Sequence, residues 1–388
     1  MTDLQIKELI KKMPLWAKAA QLTQLIARFV KNDSKAGVTG LVGDCPIGEK
    51  ELSEIGSVLN FCGANEALEI QSEYLKKSQY KIPLIFMMDV IHGYKTIYPI
   101  PLAMGCTFDE ELTEKCAEMS AVEAKYDGVQ ATFSPMVDLV RDARWGRCME
   151  STGEDPYING KMARAMIRGY KKGGLGTCIK HFACYGAPEA GKEYNATDMS
   201  QYTMHEYYLR GYEEALKENP EMVMSSFNSL NGAPINGHSE LLVDLLRKKW
   251  NYDGVLISDY AAVIEMIAHG YLSSEKECAC VAANNEIDFE MMSLTYVKYL
   301  EELVAEGKLS EEKIDNMLFR VLKLKNRFCL FENPNYETNK EKEDEIALCE
   351  KHRELARTAA EKSFVLLKND GILPLEKSTK IAVVGPFA

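Results

Sequence analysis

The stretch Gly254-Val255-Leu256-Ile257-Ser258-Asp259-Tyr260 is a short apolar run that ends in a carboxylate. A run of this length after a glycine is typical of a strand that is buried on both faces of a parallel sheet. Such a strand places its last residues at the carboxyl edge of the sheet, where a polar side chain meets ligand rather than core. Asp259 is therefore a candidate nucleophile, although an aspartate in this position also commonly caps the next helix.

Similar apolar runs alternate with longer amphipathic stretches along the chain, a pattern typical of parallel βα units. The predicted strands are 38–42, 84–88, 131–136, 177–182, 222–227, 254–258 and 286–289. Helices are predicted between them at 110–126, 160–171, 204–217, 239–250 and 296–306. This alternation predicts an α/β fold, a (β/α)8 TIM-type barrel that is irregular at one element. An open doubly wound sheet is the alternative, but the glycines at 37–43 lack the Gly-x-Gly-x-x-Gly spacing of a dinucleotide site.

The barrel is predicted to span residues 1–335 and to be followed by two shorter parts. A basic amphipathic helix at 311–328 closes it, and Asn333-Pro334-Asn335 breaks that helix. Residues 336–378 are predicted to be a linker with a charge run at 337–345 and a helix at about 346–365. The apolar run 381–386 predicts a strand. Because a lone strand leaves backbone groups unpaired on both edges, we interpret 379–388 as the first strand of a truncated second domain.

Composition limits the classes of partner. The 388 residues carry 58 acidic and 46 basic side chains, a net charge of -12, which argues against nucleic acid and anionic membranes as partners.

No apolar run reaches the roughly 18 residues of a membrane span, and the polar start has no signal-peptide pattern, so a cytoplasmic location is expected. The 11 cysteines are expected to be reduced, and the 6 histidines show no zinc-site spacing, so neither metal nor cofactor is predicted.

Polar residues follow five successive predicted strands, at positions where a core would carry apolar side chains. They are Asp89 after the second strand, Arg147 in the loop after the third, Lys180 and His181 at the end of the fourth, Asn228 after the fifth, and Asp259 after the sixth. Each alone has a structural explanation, such as a helix cap or an ion pair that ties a loop. Together they predict one polar site at the carboxyl ends of the strands.

The chemistry of this set suits a neutral sugar. Carboxylates accept paired hydrogen bonds from vicinal hydroxyls, Arg and Lys donate to hydroxyl oxygens, and Trp145 or Tyr260 offers an aromatic face to the ring. Lys180 or Arg147 near Asp259 would lower its pKa and keep it ionised, as a nucleophile must be. Phosphate would attract the same cations, but the carboxylates at the same rim would repel it.

The chain resembles the N-terminal part of glycoside hydrolase family 3, the β-glucosidase and β-xylosidase group. The resemblance runs from about Leu22 to Pro386 and rests on Asp89-Val90-Ile91-His92-Gly93, 141–147 with Glu154-Asp155-Pro156, Lys180-His181-Phe182, Phe227-Asn228-Ser229-Leu230-Asn231-Gly232 and Ser258-Asp259. It implies a retaining, exo-acting β-glycosidase that takes an oligosaccharide or an aryl or alkyl glycoside, with β-D-glucosides expected first. By the same resemblance Asp259 forms the glycosyl-enzyme intermediate, and the terminal sugar is held by Asp89, Arg147, Lys180 and His181.

Three positions depart from the commonest pattern of the family, and all three are assigned to substrate binding by the resemblance. Tyr260 follows the nucleophile where Trp is usual, and Phe227 stands where many relatives have Tyr. Lys192 stands where Arg is typical, so a planar two-pronged donor becomes a point charge. These changes keep the reaction class and leave the preferred sugar open, with β-xylosidase specificity as an alternative.

Retaining hydrolysis needs a second carboxyl group about 5 Å from the nucleophile. In two-domain members of the family this acid comes from the second domain, so we expect the general acid/base to lie in a missing C-terminal α/β domain. The single-domain N-acetylglucosaminidase branch is disfavoured, because its Asp-His pair has no counterpart in the loop 183–192. Glu189 and Glu193 are nearby carboxylates, and a solvated surface role is the simpler interpretation of both.

Two other functions stay open at this point. One is a carbohydrate-binding barrel with little or no hydrolytic activity, whose catalytic partner has been lost. A weaker one is a phosphosugar aldolase that uses Lys180 to form a Schiff base.

Overall fold

A computed structural model describes residues 1–31, 47–61 and 63–386 of the chain. Within these residues an 8-stranded parallel sheet is formed by β1 (Thr23–Ile26), β2 (Ser57–Leu59), β3 (Ile85–Met88), β4 (Ala131–Thr132), β5 (Gly176–Phe182), β6 (Met222–Ser225), β9 (Val255–Ser258) and β10 (Glu290–Met291). A separate antiparallel hairpin is formed by β7 (Ser229–Leu230) and β8 (Ala233–Pro234).

The parallel sheet closes into a barrel. Its strand order is β10-β1-β2-β3-β4-β5-β6-β9, and a parallel bridge from Ile257 to Phe289 joins the two ends of that order. Nearly every strand residue is buried, because side chains fill the interior while helices cover the outside. The (β/α)8 fold expected from the alternation of apolar and amphipathic stretches is confirmed.

Helices follow the strands and form the outer layer. The α-helices of the described chain are α1 (Asp3–Lys12), α2 (Leu15–Gln21), α3 (Ala27–Val30), α4 (Glu49–Leu52), α5 (Gly63–Lys77), α6 (Pro101–Gly105), α7 (Glu110–Tyr126), α8 (Pro156–Gly173), α9 (Gln201–Thr203), α10 (Arg210–Leu216), α11 (Glu265–Ala268), α12 (Glu275–Asn284), α13 (Thr295–Ala305), α14 (Glu311–Arg327), α15 (Lys340–Ile346) and α16 (Glu350–Ser363). Wider π-helical turns span Met204–Tyr208 and Glu240–Lys249, and 3-10 helices span Gly146–Glu150, Glu189–Gly191 and Ile235–Gly237. Side chains cap the long helices that were predicted best: Asp109 before α7, Asp155 before α8 and Ser310 before α14.

Strands β1 and β2 were not predicted from the sequence. Each carries a polar residue that faces another polar residue inside the barrel, so neither reads as an apolar run. The Gln24 amide donates to the Ser57 hydroxyl at 2.7 Å, and that hydroxyl donates to the backbone oxygen of Ile85 at 3.0 Å. Because these buried groups are hydrogen-bonded, the core accepts them.

The other strand predictions differ from the structure mainly in their bounds. The predicted strand 131–136 is shorter, since β4 covers only Ala131–Thr132. The predicted strand 286–289 lies too early, because only Phe289 forms a bridge and β10 begins at Glu290. The predicted strand 38–42 lies outside the described residues.

The segment after the barrel is helical and then irregular. The charge run predicted as a linker or helix start forms α15, and α16 covers most of the predicted helix. Buried His352 fixes α16 to the barrel, since its Nδ1 lies 2.7 Å from Glu123 Oε1 on α7. Residues 364–386 are exposed and form neither helix nor strand, so the strand predicted at 381–386 is not formed in the structure. A strand needs a neighbour for its backbone groups, and this segment pairs with none in the described chain. The division into domains stays a prediction.

Candidate active site

Lys180 and Asp89 meet across the mouth of the barrel. Lys180 lies near the end of β5, is only 3% exposed, and donates from Nζ to Asp89 Oδ1 at 2.7 Å. Its Nζ also lies 3.8 Å from Glu150 Oε2. Burial alone would lower the pKa of Lys180, but the charges of Asp89 and Glu150 outweigh burial and raise it. Lys180 is therefore a buried cation beside a carboxylate that is itself 46% exposed and accessible at the mouth.

Arg147 is held in position by Glu150. Both belong to the 3-10 helix Gly146–Glu150, and the guanidinium makes a two-pronged contact, with Nε at 2.7 Å and Nη2 at 3.1 Å from the two carboxylate oxygens. Burial disfavours its charge, but Glu150, Asp259 and Asp138 together leave the pKa of Arg147 above its usual value. Arg147 was predicted from the sequence and Glu150 was not; their spacing of three residues, within one helical turn, was the available signal.

His181 is buried and oriented by Asp138. Its backbone N–H and its Nδ1 both lie 2.8 Å from Asp138 Oδ2, and the Tyr212 hydroxyl donates to Oδ1 at 3.2 Å. Burial, helped by the charges of Arg147 and Lys180, lowers the pKa of His181 well below its usual value, so the ring is neutral. With Nδ1 donating to Asp138, Nε2 is left to accept a hydrogen bond from a hydroxyl at the mouth.

Asp138 was not predicted as a site residue from the sequence. It is buried, and burial raises its pKa to about 7, while the His181 N–H and the charge of Arg147 act in the opposite direction. Because Asp138 contacts only other side chains and backbone among the described residues, its role is to hold His181 rather than to meet substrate. In the sequence Asp138 comes two residues after the predicted strand 131–136, which does not show which neighbour it faces.

Asp259 follows β9 and has one open oxygen. The Tyr260 backbone N–H donates to Oδ1 at 2.7 Å, whereas Oδ2 is buried with no hydrogen-bond partner among the residues that the structure describes. His181 Nε2 lies 3.6 Å from this oxygen. An unpaired buried carboxylate oxygen costs free energy, so its presence beside buried cations indicates a group kept open for a ligand.

The pKa of Asp259 corrects one expectation. Lys180 and Arg147 lie near it as predicted, and both lower its pKa, as does the Tyr260 N–H. Burial has the larger effect, however, and together with the charge of Asp89 it raises the pKa of Asp259 to about 6. Asp259 therefore ionises near neutrality rather than in acid.

Aromatic side chains form one wall of the site. Trp145 and Tyr185 are fully buried and meet edge to face at 5.1 Å, and Phe227 lies 5.9 Å from Tyr185. Glu193 accepts hydrogen bonds from Trp145 Nε1 and from the Tyr185 hydroxyl. Trp145 is thus part of the wall and has no exposed face for a sugar, contrary to the sequence interpretation, whereas partly exposed Tyr260 packs against the same wall.

The match with known families agrees with this geometry. Residues 15–324 match the family model described as the glycosyl hydrolase family 3 N terminal domain. This chain belongs to glycosyl hydrolase family 3. The match covers the barrel and every candidate site residue named above.

Relatives of this family 3 chain carry glycosidase names. It is 36% identical to the periplasmic beta-glucosidase of Salmonella typhimurium, over 100% of this chain and 50% of that protein. It is 31% identical to a putative beta-xylosidase of Formosa agariphila, over 82% of this chain and 44% of the relative. The beta-glucosidase of Listeria innocua, solved in complex with glucose, superposes with a TM-score of 0.92 at 43% identity, covering 97% of this chain and 53% of that one. The chain thus spans about half the length of these relatives.

Lys192 is the one predicted site residue that the structure does not bring into the buried cluster of this family 3 barrel. It follows the 3-10 helix Glu189–Gly191 on an exposed loop, where its backbone N–H donates to Glu189 O at 3.2 Å. Its role in substrate binding remains a prediction. Glu189 is exposed, as expected, but Glu193 is tied to the aromatic wall instead of being only solvated.

Within the described ranges, no group of His, Cys, Asp and Glu side chains is arranged to hold a metal ion, and the cysteines are free thiols. No helix in the same part of the chain is long and apolar enough to cross a membrane.

Proposed function

We propose that this chain carries the nucleophile and first sugar subsite of a retaining, exo-acting β-glycosidase. The observation that carries the proposal is Oδ2 of Asp259, a buried carboxylate oxygen without a partner in the described chain, set beside Arg147 and Lys180. These cations reduce the cost of ionising it, as a nucleophile requires. Asp89, Arg147, Lys180 and His181 supply acceptors and donors for the hydroxyls of one terminal sugar.

In the proposed reaction Asp259 Oδ2 attacks the anomeric carbon as the bond to the leaving oxygen breaks. The result is a glycosyl ester on Asp259, which water then cleaves with overall retention of configuration. The leaving oxygen takes a proton from a general acid, for which we propose a residue of the C-terminal domain found in two-domain relatives. Without that acid the rate of cleaving a disaccharide falls by ~10²-fold to 10⁴-fold, whereas an activated aryl leaving group needs no proton.

β-D-glucosides are the proposed substrates, because the Listeria innocua relative was solved with glucose. β-xylosides are the second candidate, because relatives named as β-xylosidases match the chain at similar identity. A comparison of labelling by matched glucosyl and xylosyl reagents distinguishes the two. A cytoplasmic location and a lack of nucleic-acid and membrane partners stay predictions from composition.

The aldolase alternative is weakened by the state of Lys180. A Schiff base requires a neutral amine, but the charges of Asp89 and Glu150 raise the pKa of Lys180 and keep it protonated. Borohydride trapping that leaves Lys180 unmodified would remove this alternative.

The proposal is tested by labelling the full chain with 2,4-dinitrophenyl 2-deoxy-2-fluoro-β-D-glucoside and locating the adduct by peptide mass spectrometry. We expect one glucosyl adduct on Asp259, formed while dinitrophenolate is released. A matched control is Asp253→Asn, which changes an exposed aspartate just before β9 and should label at the rate of the unsubstituted chain. Sugar binding without any adduct would overturn the proposal in favour of a carbohydrate-binding barrel. Brisk hydrolysis of cellobiose by this chain would overturn the assignment of the acid to another domain.

A further inference from the structure

Glu265 lies beside the site but is not used by the proposed reaction. It begins α11, and its Oε2 is buried with no hydrogen-bond partner in the described part of the chain. The start of α11 is fixed to the barrel, because the Ala261 N–H donates to Met291 O at 2.9 Å and the Glu265 N–H donates to Ala261 O at 3.2 Å. The backbone of Glu265 is therefore anchored by hydrogen bonds, while one oxygen of its carboxyl group has no partner in the described chain.

The neighbour one turn later shows which way this side of α11 faces. His269 Nε2 lies 2.9 Å from the backbone oxygen of Phe227, in the loop after β6. Residues four apart on a helical turn share a face, so Glu265 faces the same loop. Across that loop the Tyr194 ring lies 4.6 Å from the Phe227 ring.

Glu265, Tyr194 and Asp259 act on one another electrostatically. Burial and, to a smaller extent, the charge of Asp259 together raise the pKa of Glu265 to about 7. Burial also raises the pKa of Tyr194 to about 12, with the charges of Glu265 and Asp259 acting in the same direction. Near pH 7 the Glu265 carboxyl is therefore partly protonated and can either donate or accept a hydrogen bond.

Tyr194 lies nearer the surface than the residues proposed to hold the first sugar. Lys180 and His181 are 3% and 1% exposed, and Asp259 is 8% exposed. Tyr194, in contrast, is 46% exposed. An exo-acting site takes the terminal ring at its closed end, so the next ring lies nearer the opening.

The two groups also lie on different sides of the mouth. Asp89 and Lys180 belong to the side formed by β3 to β5, whereas Glu265 follows β9 and faces the loop after β6. Asp259 directly follows β9, on the same side as Glu265. The charge of Asp89 raises the pKa of Asp259, and the charge of Asp259 raises the pKa of Glu265.

We propose that Glu265 and Tyr194 bind the second sugar ring of a β-linked disaccharide, on the leaving-group side of Asp259, and that Glu265 sets the preference for that ring. This inference rests on the proposed function. Oε2 hydrogen-bonds to a hydroxyl of the second ring, which satisfies the open oxygen, and the exposed face of Tyr194 packs against the C–H surface of the same ring. Glu265 is thus a specificity-determining residue for the reaction.

The test compares glucose with cellobiose and laminaribiose by isothermal titration calorimetry, in an Asp259→Asn background that cannot hydrolyse them. Adding Glu265→Ala or Tyr194→Ala should weaken binding of the better disaccharide about tenfold, the equivalent of one net hydrogen bond or stacking contact, and leave glucose within about twofold. Glu265→Gln should stay within about threefold of the parent, because an amide also donates and accepts. Glu301→Ala, an exposed glutamate on α13, is the matched control and should change neither ligand.

Each other outcome contradicts the inference. Equal weakening of glucose and disaccharide assigns Glu265 to the first subsite or to structure, and no weakening at all removes its role. If glucose binds but neither disaccharide binds more tightly than glucose, only this inference fails. If no sugar binds to the parent, the proposed function fails with it.

Discussion

Two buried aspartates, Asp288 beside the amino end of β9 and Asp259 after its carboxyl end, differ in how their oxygens are paired. Asp288, at the amino end, accepts from Arg320 Nε at 2.9 Å, from Arg247 Nη2 at 2.7 Å and from the Leu256 N–H at 2.8 Å. Asp259, after the carboxyl end, accepts only from the Tyr260 N–H, and its Oδ2 is open within the described chain. Both residues are buried aspartates, so the difference between them lies in the hydrogen-bond partners of their carboxylate oxygens.

The difference shows how the barrel separates stability from chemistry. Asp288 ties β9 to the helix α14 and to the π-helical segment Glu240–Lys249, so its charge is fully compensated by partners within the fold. Asp259 has cations nearby but no direct bond from them, so a ligand can reach it. The carboxylate at the amino end is bonded within the fold, and the one at the carboxyl end keeps an open oxygen on the face where such barrels generally bind ligands.

The largest expected effect comes from removing the open carboxylate. Asp259→Asn should lower the rate of adduct formation with the fluoroglucoside by on the order of 10⁴-fold to 10⁶-fold, because the amide is not a nucleophile. The melting temperature should stay the same or rise, because an incompletely paired buried charge is lost. Time-resolved mass spectrometry and calorimetry measure the two. Labelling at the parent rate would show that another residue is the nucleophile.

The paired carboxylate should show the opposite behaviour. Asp288→Ala should lower the free energy of unfolding by about 3–5 kcal/mol, because Arg247 and Arg320 lose their shared partner. Protein that remains folded should still label on Asp259. Urea denaturation measures the loss, and Asp288→Asn, whose amide oxygen can still accept from Leu256, should lose less. An unchanged stability in both variants would mean that the ion pairs at the amino end contribute nothing.

The comparison is sharpened by the pH dependence of labelling. Since the pKa of Asp259 is raised to about 6, the labelling rate should be half-maximal near pH 6, reach a plateau above it and fall in acid. Arg147→Gln should move the midpoint upward by about one pH unit, because the cation that lowers this pKa is gone. A midpoint near pH 4 in the unsubstituted chain would contradict the dominance of burial.

The same pKa has a consequence for stability, whose sign follows from linkage. The folded state binds this proton more tightly than the unfolded state, so the contribution of Asp259 to stability is fully present below about pH 4. It is lost as pH rises through about 6. The Asp259→Asn variant should lack this component of the pH dependence of unfolding, measured by urea titrations between pH 4 and pH 8.

The smallest expected effect concerns the exposed loop. Lys192→Ala should change the affinity for glucose by no more than about threefold and stability by about 0.5 kcal/mol or less, since the side chain is solvated. Lys192→Arg is the matched control, because it keeps the charge and restores a two-pronged donor. A tenfold loss on Lys192→Ala would show that this loop closes on the sugar and that the buried cluster is only part of the first subsite.

The elements predicted from the sequence depend on interactions between residues close in the chain, whereas the missed strands depend on contacts between residues far apart in it. Helices α7, α8 and α14 were predicted because their periodicity and caps are local. Strands β1 and β2 were missed because Gln24 and Ser57 are acceptable in a core only when they bond to each other across two strands. The sequence predicted that Asp89, Arg147, Lys180, His181 and Asp259 lie together, because strand ends in a parallel barrel converge on one face, and their roles stay predictions.

By itself, the sequence determined the barrel, the polar strand ends and the family of this chain, because periodicity and motifs are properties of neighbouring residues. Only the tertiary structure decided how those residues act on one another. It showed that burial outweighs the cations in setting the pKa of Asp259. It also showed that Asp138 orients His181, and that Glu265 keeps a carboxyl oxygen without a hydrogen-bond partner in the described chain while the charge of Asp259 acts on it. Burial and partners depend on residues far apart in the chain, and no local pattern records them.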